Sequence, residues 1–311
     1  MPETINSWLF WLFMFLRLFW VASGAGSKPA LRKATFMPIV PPLSEALQSF
    51  SAVIVTGGSS GIGKSFIELM GKLSTKLVFC NLSRREPATN ISGQRLNHFP
   101  CDVSRAGEVA RVAGEVEEFL QRNVPAGRVL LINNSGFGAY GRFPEPNLSH
   151  QLEMIDVNAR AVVQLTGLLL PLLRARGGAI INVASTAAFQ PTPWMATYGA
   201  TKAFVLHWSL ALNEELRGSG VRSLVVCPGP TGTDFFRRAG LKQGSVSPAL
   251  SMTSEAVVEL SLRALAAGRA QIVTGWKNKA YTFVSGKLPK PFVARVGAKV
   301  LGRFRLKQVE R

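Results

Sequence analysis

The chain has 311 residues, 47% of them hydrophobic, enough for one large domain with a full core. Its 36 Lys and Arg against 18 Asp and Glu leave a formal net charge of +18, which suits an anionic partner such as anionic lipid or a phosphorylated cofactor. With no zinc-knuckle spacing, RNP-like aromatic stretch or repeat, nucleic acid is not the expected partner. Cys80, Cys101 and Cys227 lie far apart in or beside apolar runs and read as free core thiols. His98, His150 and His207 are equally scattered, so no metal site is expected.

The most hydrophobic stretch comes first: SWLFWLFMFLRLFWVASGAGS, apolar from Trp8 to Ala22 except for Arg17. Its fifteen residues would span roughly 22 Å as a helix, short of a ~30 Å hydrocarbon core. Trp8, Trp11 and Trp20 suit a membrane interface, and Lys28, Arg32 and Lys33 favour the cytoplasm for the downstream side. Residues 1–23 therefore read as an N-terminal anchor or in-plane helix on the cytoplasmic side of a membrane. Two alternatives stay open: a signal peptide cleaved near VASGAG, although no Lys or Arg precedes the apolar run, and a start at Met37. Residues 24–49, rich in Gly, Pro and Ser, read as a linker.

Regular structure begins at residue 50. AVIVTGG is a β-branched strand, and SSGIGKSFIELMGKL has helical spacing of Ile62, Phe66, Leu69 and Leu73. KLVFCNL is a second strand, LNHFPCDVS contains a third, EVARVAGEVEEFLQRN is an amphipathic helix and RVLLINNSG a fully apolar strand. QLEMIDVNARAVVQLTGLLLPLLRAR then reads as a long helix, GAIINVAST as a strand, ATYGATKAFVLHWSLALNEELRGSG as a second long helix and VRSLVVCPGP as a strand. Beyond an irregular apolar-basic stretch from Thr233 to Ser251, suited to a substrate lid, come the helix SEAVVELSLRALAAG and the strand AQIVTG. Apolar strands alternating with helices predict an α/β fold over residues 50–285: a doubly wound parallel sheet, covered on both faces, binding ligands beyond its C-terminal strand ends. Residues 286–311 form a basic amphipathic tail, with eight Lys and Arg from Lys287 onward against Glu310 alone. Phe292, Val293, Val296, Val300, Leu301 and Phe304 fall between those cations, so the tail suits an anionic membrane surface or, equally, solvent.

TGGSSGIG joins the first strand to the first helix. Gly57, Gly61 and Gly63 let the backbone turn tightly and approach a pyrophosphate, which then meets Ile62 and the helix N-terminus. An acid at the end of the second strand would bind the ribose hydroxyls of NAD(H). That place falls near Asn81, which is neutral, and SRR follows, so Ser83 and Arg84 with Ser59 or Ser60 would cradle a 2′-phosphate. NADP(H) is favoured over NAD(H).

YGATK sets Tyr198 and Lys202 four residues apart on one helix face, thirteen residues beyond Ser185. A ketone accepting hydride develops oxyanion charge and needs a proton. A phenol, ordinarily near pKa ~10, can give that proton if a lysine ammonium and a positive ring favour its phenolate.

Taken together, TGGSSGIG, CDVS, NNSG, DVNA, the serine of NVAST, YGATK and CPGPTGT resemble, in order and spacing, the motifs of the short-chain dehydrogenase/reductase family over roughly residues 50–275. One departure is Ser135, where the family usually has alanine. The resemblance implies a single-domain Rossmann-like fold and a carbonyl reductase or alcohol dehydrogenase activity. It implies that Asn158, Ser185, Tyr198 and Lys202 form a catalytic tetrad in which Ser185 holds the carbonyl oxygen, Lys202 binds nicotinamide ribose and Asn158 keeps a relay water. Asp102 and Val103 would contact adenine, Asn133 and Gly136 would support the cofactor's central strand, and Thr233 would sit by the carboxamide after the Pro228–Gly229 turn. Within the family, NNSGFGAYGRF, STAAFQPTP and ATKAFV are similar to a subgroup near fatty-acyl and steroid-like ketoreductases. That likeness implies a lipophilic carbonyl substrate and an apolar pocket of Phe137, Phe189, Pro191, Trp194 and Met195. Pairing into a homodimer or tetramer through the two long helices is implied in the same way. A non-catalytic NADP(H)-binding redox sensor or membrane scaffold is the alternative, against which the intact Tyr198 and Lys202 argue.

Overall fold

In the first strand, Phe50–Thr56, side chains alternate between two cores: Ala52 and Ile54 enter one, Val53 and Val55 the other, all at 0% exposure. A strand buried on both faces belongs inside a parallel sheet. In the computed structural model, which describes residues 42–89, 91, 95–124, 126–241 and 251–302, it sits third of seven parallel strands. The anchor expected at 1–23 and the end of the tail lie outside the described residues.

The chain runs α1 (Leu43–Leu47), β1 (Phe50–Thr56), α2 (Gly61–Leu73), β2 (Val78–Ser83), β3 (Leu96–Pro100), α3 (Ala106–Asn123) and β4 (Arg128–Asn133). It continues through α4 (Leu148–Ile155), a π-helical turn (Asp156–Arg160), α5 (Ala161–Arg176), β5 (Gly178–Val183), a 3-10 turn (Thr186–Phe189), α6 (Ala196–Glu215) and β6 (Val221–Cys227). It ends with α7 (Phe235–Arg238), α8 (Ser254–Ala266), β7 (Gln271–Val273), α9 (Trp276–Lys287) and α10 (Lys290–Gly302). The strand order β3-β2-β1-β4-β5-β6-β7 reverses between β1 and β4. At that switch point the two connections leave in opposite directions and open a crevice at the strand ends.

α3, α5 and α6 cover one face through Val109, Val112, Leu120, Leu165, Leu169 and Leu212. α2 and α8 cover the other through Phe66, Ile67, Met70, Val257 and Leu262. Each such side chain contributes roughly 1.5–3 kcal/mol on burial. The helical run Leu148–Arg176 is long and apolar enough to cross a membrane, but half of its most apolar window is buried in this fold.

Two segments differ from the sequence expectation. The end of the expected linker forms α1, because Leu47 is drawn into the α2 and α8 core and is 2% exposed. The tail's first part forms α10, whose Val293 is buried and whose Ala298 carbonyl accepts a 3.1 Å bond from Trp194 Nε1.

Candidate active site

At the tip of β1 the chain turns through Gly57 (φ +70°) and Gly61 (φ +55°), left-handed conformations that side chains disfavour. A Cβ on Gly63 would stand 2.4 Å from both the Gly57 carbonyl and Asn134 Nδ2, so α2 can start against the loop only with glycine there. Ser60 precedes α2 without capping it through its side chain, and the first-turn N–H groups at Gly61, Ile62 and Gly63 have no intrahelical acceptor. These amides and the helix dipole fit a pyrophosphate. A Cβ on Gly61 would come within 3.3 Å of Thr233 Cγ2, so the segment after β6 faces the loop across the crevice.

The end of β2 corrects one expectation. Asn81 is fully buried, its Oδ1 accepts the Gly58 N–H at 2.9 Å, and its Nδ2 donates to Ser83 Oγ at 2.8 Å and meets His98 Nδ1 at 2.9 Å. It clamps the glycine loop from below. Ser83 is 8% exposed and donates to the Arg85 carbonyl at 2.6 Å, so its hydroxyl is consumed in the strand end and is withdrawn from the phosphate cradle. Arg84 keeps 70% of its side chain exposed, 3.9 Å from Asp102 Oδ2, and with the exposed Arg85 makes this end of the crevice cationic. Asp102 Oδ1 accepts from the Ser104 N–H and hydroxyl, which sets the turn carrying the buried Val103.

Between these ends, Thr56 Oγ1 accepts the Asn134 and Ser135 N–H groups at 3.0 and 2.9 Å, and Asn134 Nδ2 returns to the Thr56 carbonyl at 2.9 Å. Asn133 lies deeper. Its Nδ2 donates to Thr166 Oγ1 and Asn182 Oδ1, and Asn182 continues the chain to Ser209. It braces β4 against β5 and α5 beneath the strand ends.

The π-helical turn, the usual mark of one extra residue in a helix, carries Asn158 at 0% exposure. Asn158 Oδ1 accepts from the Phe137 N–H at 3.1 Å, and Nδ2 donates to the Phe137 carbonyl and Thr201 Oγ1. A Cβ on Gly136 would be 3.1 Å from both Asn158 Oδ1 and Lys202 Nζ, so all three residues meet at one point. Lys202, 4% exposed, donates to the Val183 carbonyl at 2.8 Å. Its Nζ stands 6.0 Å from the Tyr198 ring centre. Burial pushes the Lys202 ammonium down to about 8, partly offset by Cys227. Burial pushes the Tyr198 phenol up to about 12, opposed by a hydrogen bond with the Ser185 side chain. In the absence of a positive nicotinamide ring, desolvation is the larger of these two effects on the phenol. Ser185 tips β5, where its Oγ also accepts the Ala187 N–H at 3.1 Å.

Over Tyr198 lies the first residue of α7: the Phe235 ring centre is 5.2 Å from that of Tyr198. Phe137, Ala139, Met154 and Met195 complete the surrounding cluster. A cavity of about 290 Å³ opens beside it, lined by Ala139, Arg142, Gln151, Pro193, Trp194 and Met195 among others. Trp194 holds a left-handed φ of +69°, a conformation that costs a bulky residue roughly 1–3 kcal/mol unless its surroundings fix it. The bond to the Ala298 carbonyl is one such fixture. Of the expected pocket residues, Trp194 lines this cavity and Met195 both the cavity and the tyrosine, while Phe137 packs near Tyr198. Phe189 is corrected: it packs with Ala188, Val205 and Leu206 in a separate core cluster. Pro228 is buried, and its carbonyl accepts the Thr186 N–H at 2.8 Å. Gly229 must be small, since a Cβ there would lie 2.2 Å from Asn278 of α9.

Residues 51–244 match the sequence profile of the family described as short chain dehydrogenase. This chain belongs to the short-chain dehydrogenase family. An uncharacterized oxidoreductase of Staphylococcus epidermidis is 31% identical over 206 residues, 63% of this chain and 87% of that protein. A very-long-chain 3-oxoacyl-CoA reductase of Bos taurus is 31% identical over 183 residues, 56% of this chain and 57% of that one. Among solved structures, a short-chain dehydrogenase from Sphingobium yanoikuyae in complex with NADPH superposes with a TM-score of 0.64 at 25% identity, covering 84% of this chain and 98% of its own. This short-chain dehydrogenase is thus an oxidoreductase by family. Residues its motifs did not reveal are Asn81, Asn134, Phe235 and Tyr140. Asn134 and Tyr140 sat inside quoted motifs, whereas Asn81 and Phe235 act through partners distant in sequence.

Proposed function

We propose that this short-chain dehydrogenase reduces a lipophilic ketone to a secondary alcohol with NADPH, using Tyr198 as proton donor. The observation that carries the reading is the convergence of Asn158, Lys202 and Gly136 beside a buried Tyr198 that shares a hydrogen bond with Ser185. The N–H groups of Gly61, Ile62 and Gly63 would hold the pyrophosphate, with Gly57 and Ser59 and Ser60 shaping the loop. Arg84 would take the 2′-phosphate, Asp102 and Val103 the adenine, Lys202 the ribose, and Thr233 the carboxamide. When bound, the nicotinamide supplies the hydride to the carbonyl carbon. Ser185 and Tyr198 hold the carbonyl oxygen, and as charge gathers there Tyr198 Oη releases its proton to it. Lys202, a cation at neutral pH, stabilises the resulting phenolate, and Asn158 orders the path by which the phenol is reprotonated.

A lipophilic substrate is supported by the apolar wall of Ala139, Phe143, Pro193, Trp194 and Met195 and by the very-long-chain acyl substrate in the name of the bovine relative. A homodimer is supported by the exposed apolar row Leu152, Ile155, Leu168 and Phe204 on the long helices. The apolar N-terminus would place the enzyme on the cytoplasmic side of a membrane. The test is NADPH oxidation against 3-oxoacyl thioesters, steroid ketones and short ketones. Tyr198→Phe is expected to lose roughly 10²–10⁴-fold in turnover while still binding NADPH; full turnover by that variant on a good substrate would overturn the mechanism.

A further inference from the structure

The outer surface of α9 and α10 has no task in the reaction, yet its composition is unlike the rest of the chain. From Trp276 to Gly302 there are six Lys and Arg and no Asp or Glu. Large apolar side chains stand out from it: Trp276 is 75% exposed, Phe283 60%, Tyr281 52%, Phe292 50% and Val296 45%. On α9, Trp276, Ala280, Phe283 and Lys287 follow helical spacing along the side opposite the buried Thr282 and Ser285. Lys277 and Lys287 lie over the Trp276 and Phe283 rings at 5.8 and 6.0 Å. On α10, Phe292, Arg295, Val296 and Lys299 face away from the buried Val293. Exposed aromatics cost solubility, and solvation alone gives no reason to alternate them with cations. An interface that is anionic at its surface and apolar a few ångströms below rewards both at once.

The inner surface of the same helices is tied to the site. Asn278 of α9 backs the Gly229 turn, and Ser285 donates to Gln190 at 2.9 Å. On α10, Lys290 donates to the Phe189 carbonyl at 3.1 Å, Ala298 accepts from Trp194 at 3.1 Å, and Leu301 accepts from the Tyr140 hydroxyl. Trp194 lines the cavity beside Tyr198. We infer that the outer face of α9 and α10 docks on an anionic phospholipid bilayer and holds the Trp194 wall of the cavity, so that a lipophilic carbonyl reaches Tyr198 from the membrane. The orientation of the cavity rests on the function proposed above; the docking face does not.

The experiment uses the full chain with vesicles of phosphatidylcholine alone or with phosphatidylglycerol added. The apolar N-terminus would bind both kinds, so the reading is the increment due to anionic lipid. Parent protein is expected to partition at least about tenfold more onto the anionic vesicles, with the increment lost in high salt. A Trp276→Ser, Phe283→Ser, Phe292→Ser variant and a separate Lys287→Gln, Arg295→Gln, Lys299→Gln variant should each remove most of that increment. Both sets are exposed, so two folded reporters guard against one failing to fold. An increment that survives in both variants overturns the inference, as does equal binding to duplex DNA that ignores the aromatic substitutions. Binding is read without turnover, so it stands or falls apart from the catalytic proposal. The coupling is read from KM: in the variants it should rise several-fold for a vesicle-borne ketone, with kcat for a water-soluble ketone unchanged. An unchanged KM would sink the membrane-entry part.

Discussion

Asn158 Oδ1 and Lys202 Nζ, forty-four residues apart, both come within 3.1 Å of the place where a side chain on Gly136 would begin. The amide and the ammonium meet only because the residue between them has no Cβ. Gly136→Ala should therefore push one of them aside and lower kcat by roughly tenfold with the fold intact. Steady-state kinetics beside circular dichroism will show it, and an unimpaired Gly136→Ala enzyme would mean the two groups do not act together.

Burial of Lys202 makes a prediction about stability and pH. The unfolded chain keeps this proton up to the ordinary value of 10.5, the folded chain only up to about 8. Unfolding thus takes up a proton between about 8 and 10.5, stability from this group rises with pH across that window, and below it the folded state bears the full cost. Lys202→Met should raise Tm by a few degrees at pH 7 while abolishing turnover, the advantage shrinking toward pH 10. Calorimetry at both pH values decides. In the parent, kcat/KM for reduction should fall as pH climbs through about 8 and the ammonium is lost.

Arg84 and Asn81 predict different failures at the same strand end. Arg84→Asp removes one exposed cation, and KM for NADPH should rise roughly 10–100-fold while NADH improves. Asn81→Ala releases Gly58, so both cofactors should weaken together, with no change in preference. Fluorescence titration with NADPH and NADH separates the two. If Asn81→Ala altered the NADPH to NADH ratio as Arg84→Asp does, the clamp assignment would be wrong.

Phe235 covers the ring of Tyr198 at 5.2 Å. Phe235→Ala should admit bulkier ketones, lowering their KM several-fold relative to short ones. A uniform change across a ketone size series would point instead to general loosening of the segment.

The exposed apolar row predicts self-association. Phe204 is 45% and Leu152 53% exposed, on α6 and α4. Phe204→Glu with Leu152→Glu should shift sedimentation from dimer to monomer; a parent that is already monomeric would contradict the pairing.

The alternating α/β order, the glycine loop and the Tyr198–Lys202 pair were legible in the sequence because each is written in local spacing: period two, period 3.6, or four residues along one helix. What local spacing could not report is where a side chain's partner lies. Ser83 looked free for a phosphate until Arg85 and Asn81 were seen to take its hydroxyl. Phe189 and Trp194, five residues apart and both aromatic, were indistinguishable in the sequence, yet one enters a core cluster and the other walls the cavity. The difference rests on contacts such as Trp194 to Ala298, 104 residues away. The sequence by itself therefore determined the fold class, the family and the residues with chemical potential. Tertiary structure alone decided which of those groups stay available, because availability depends on hydrogen bonds and burial made across the chain.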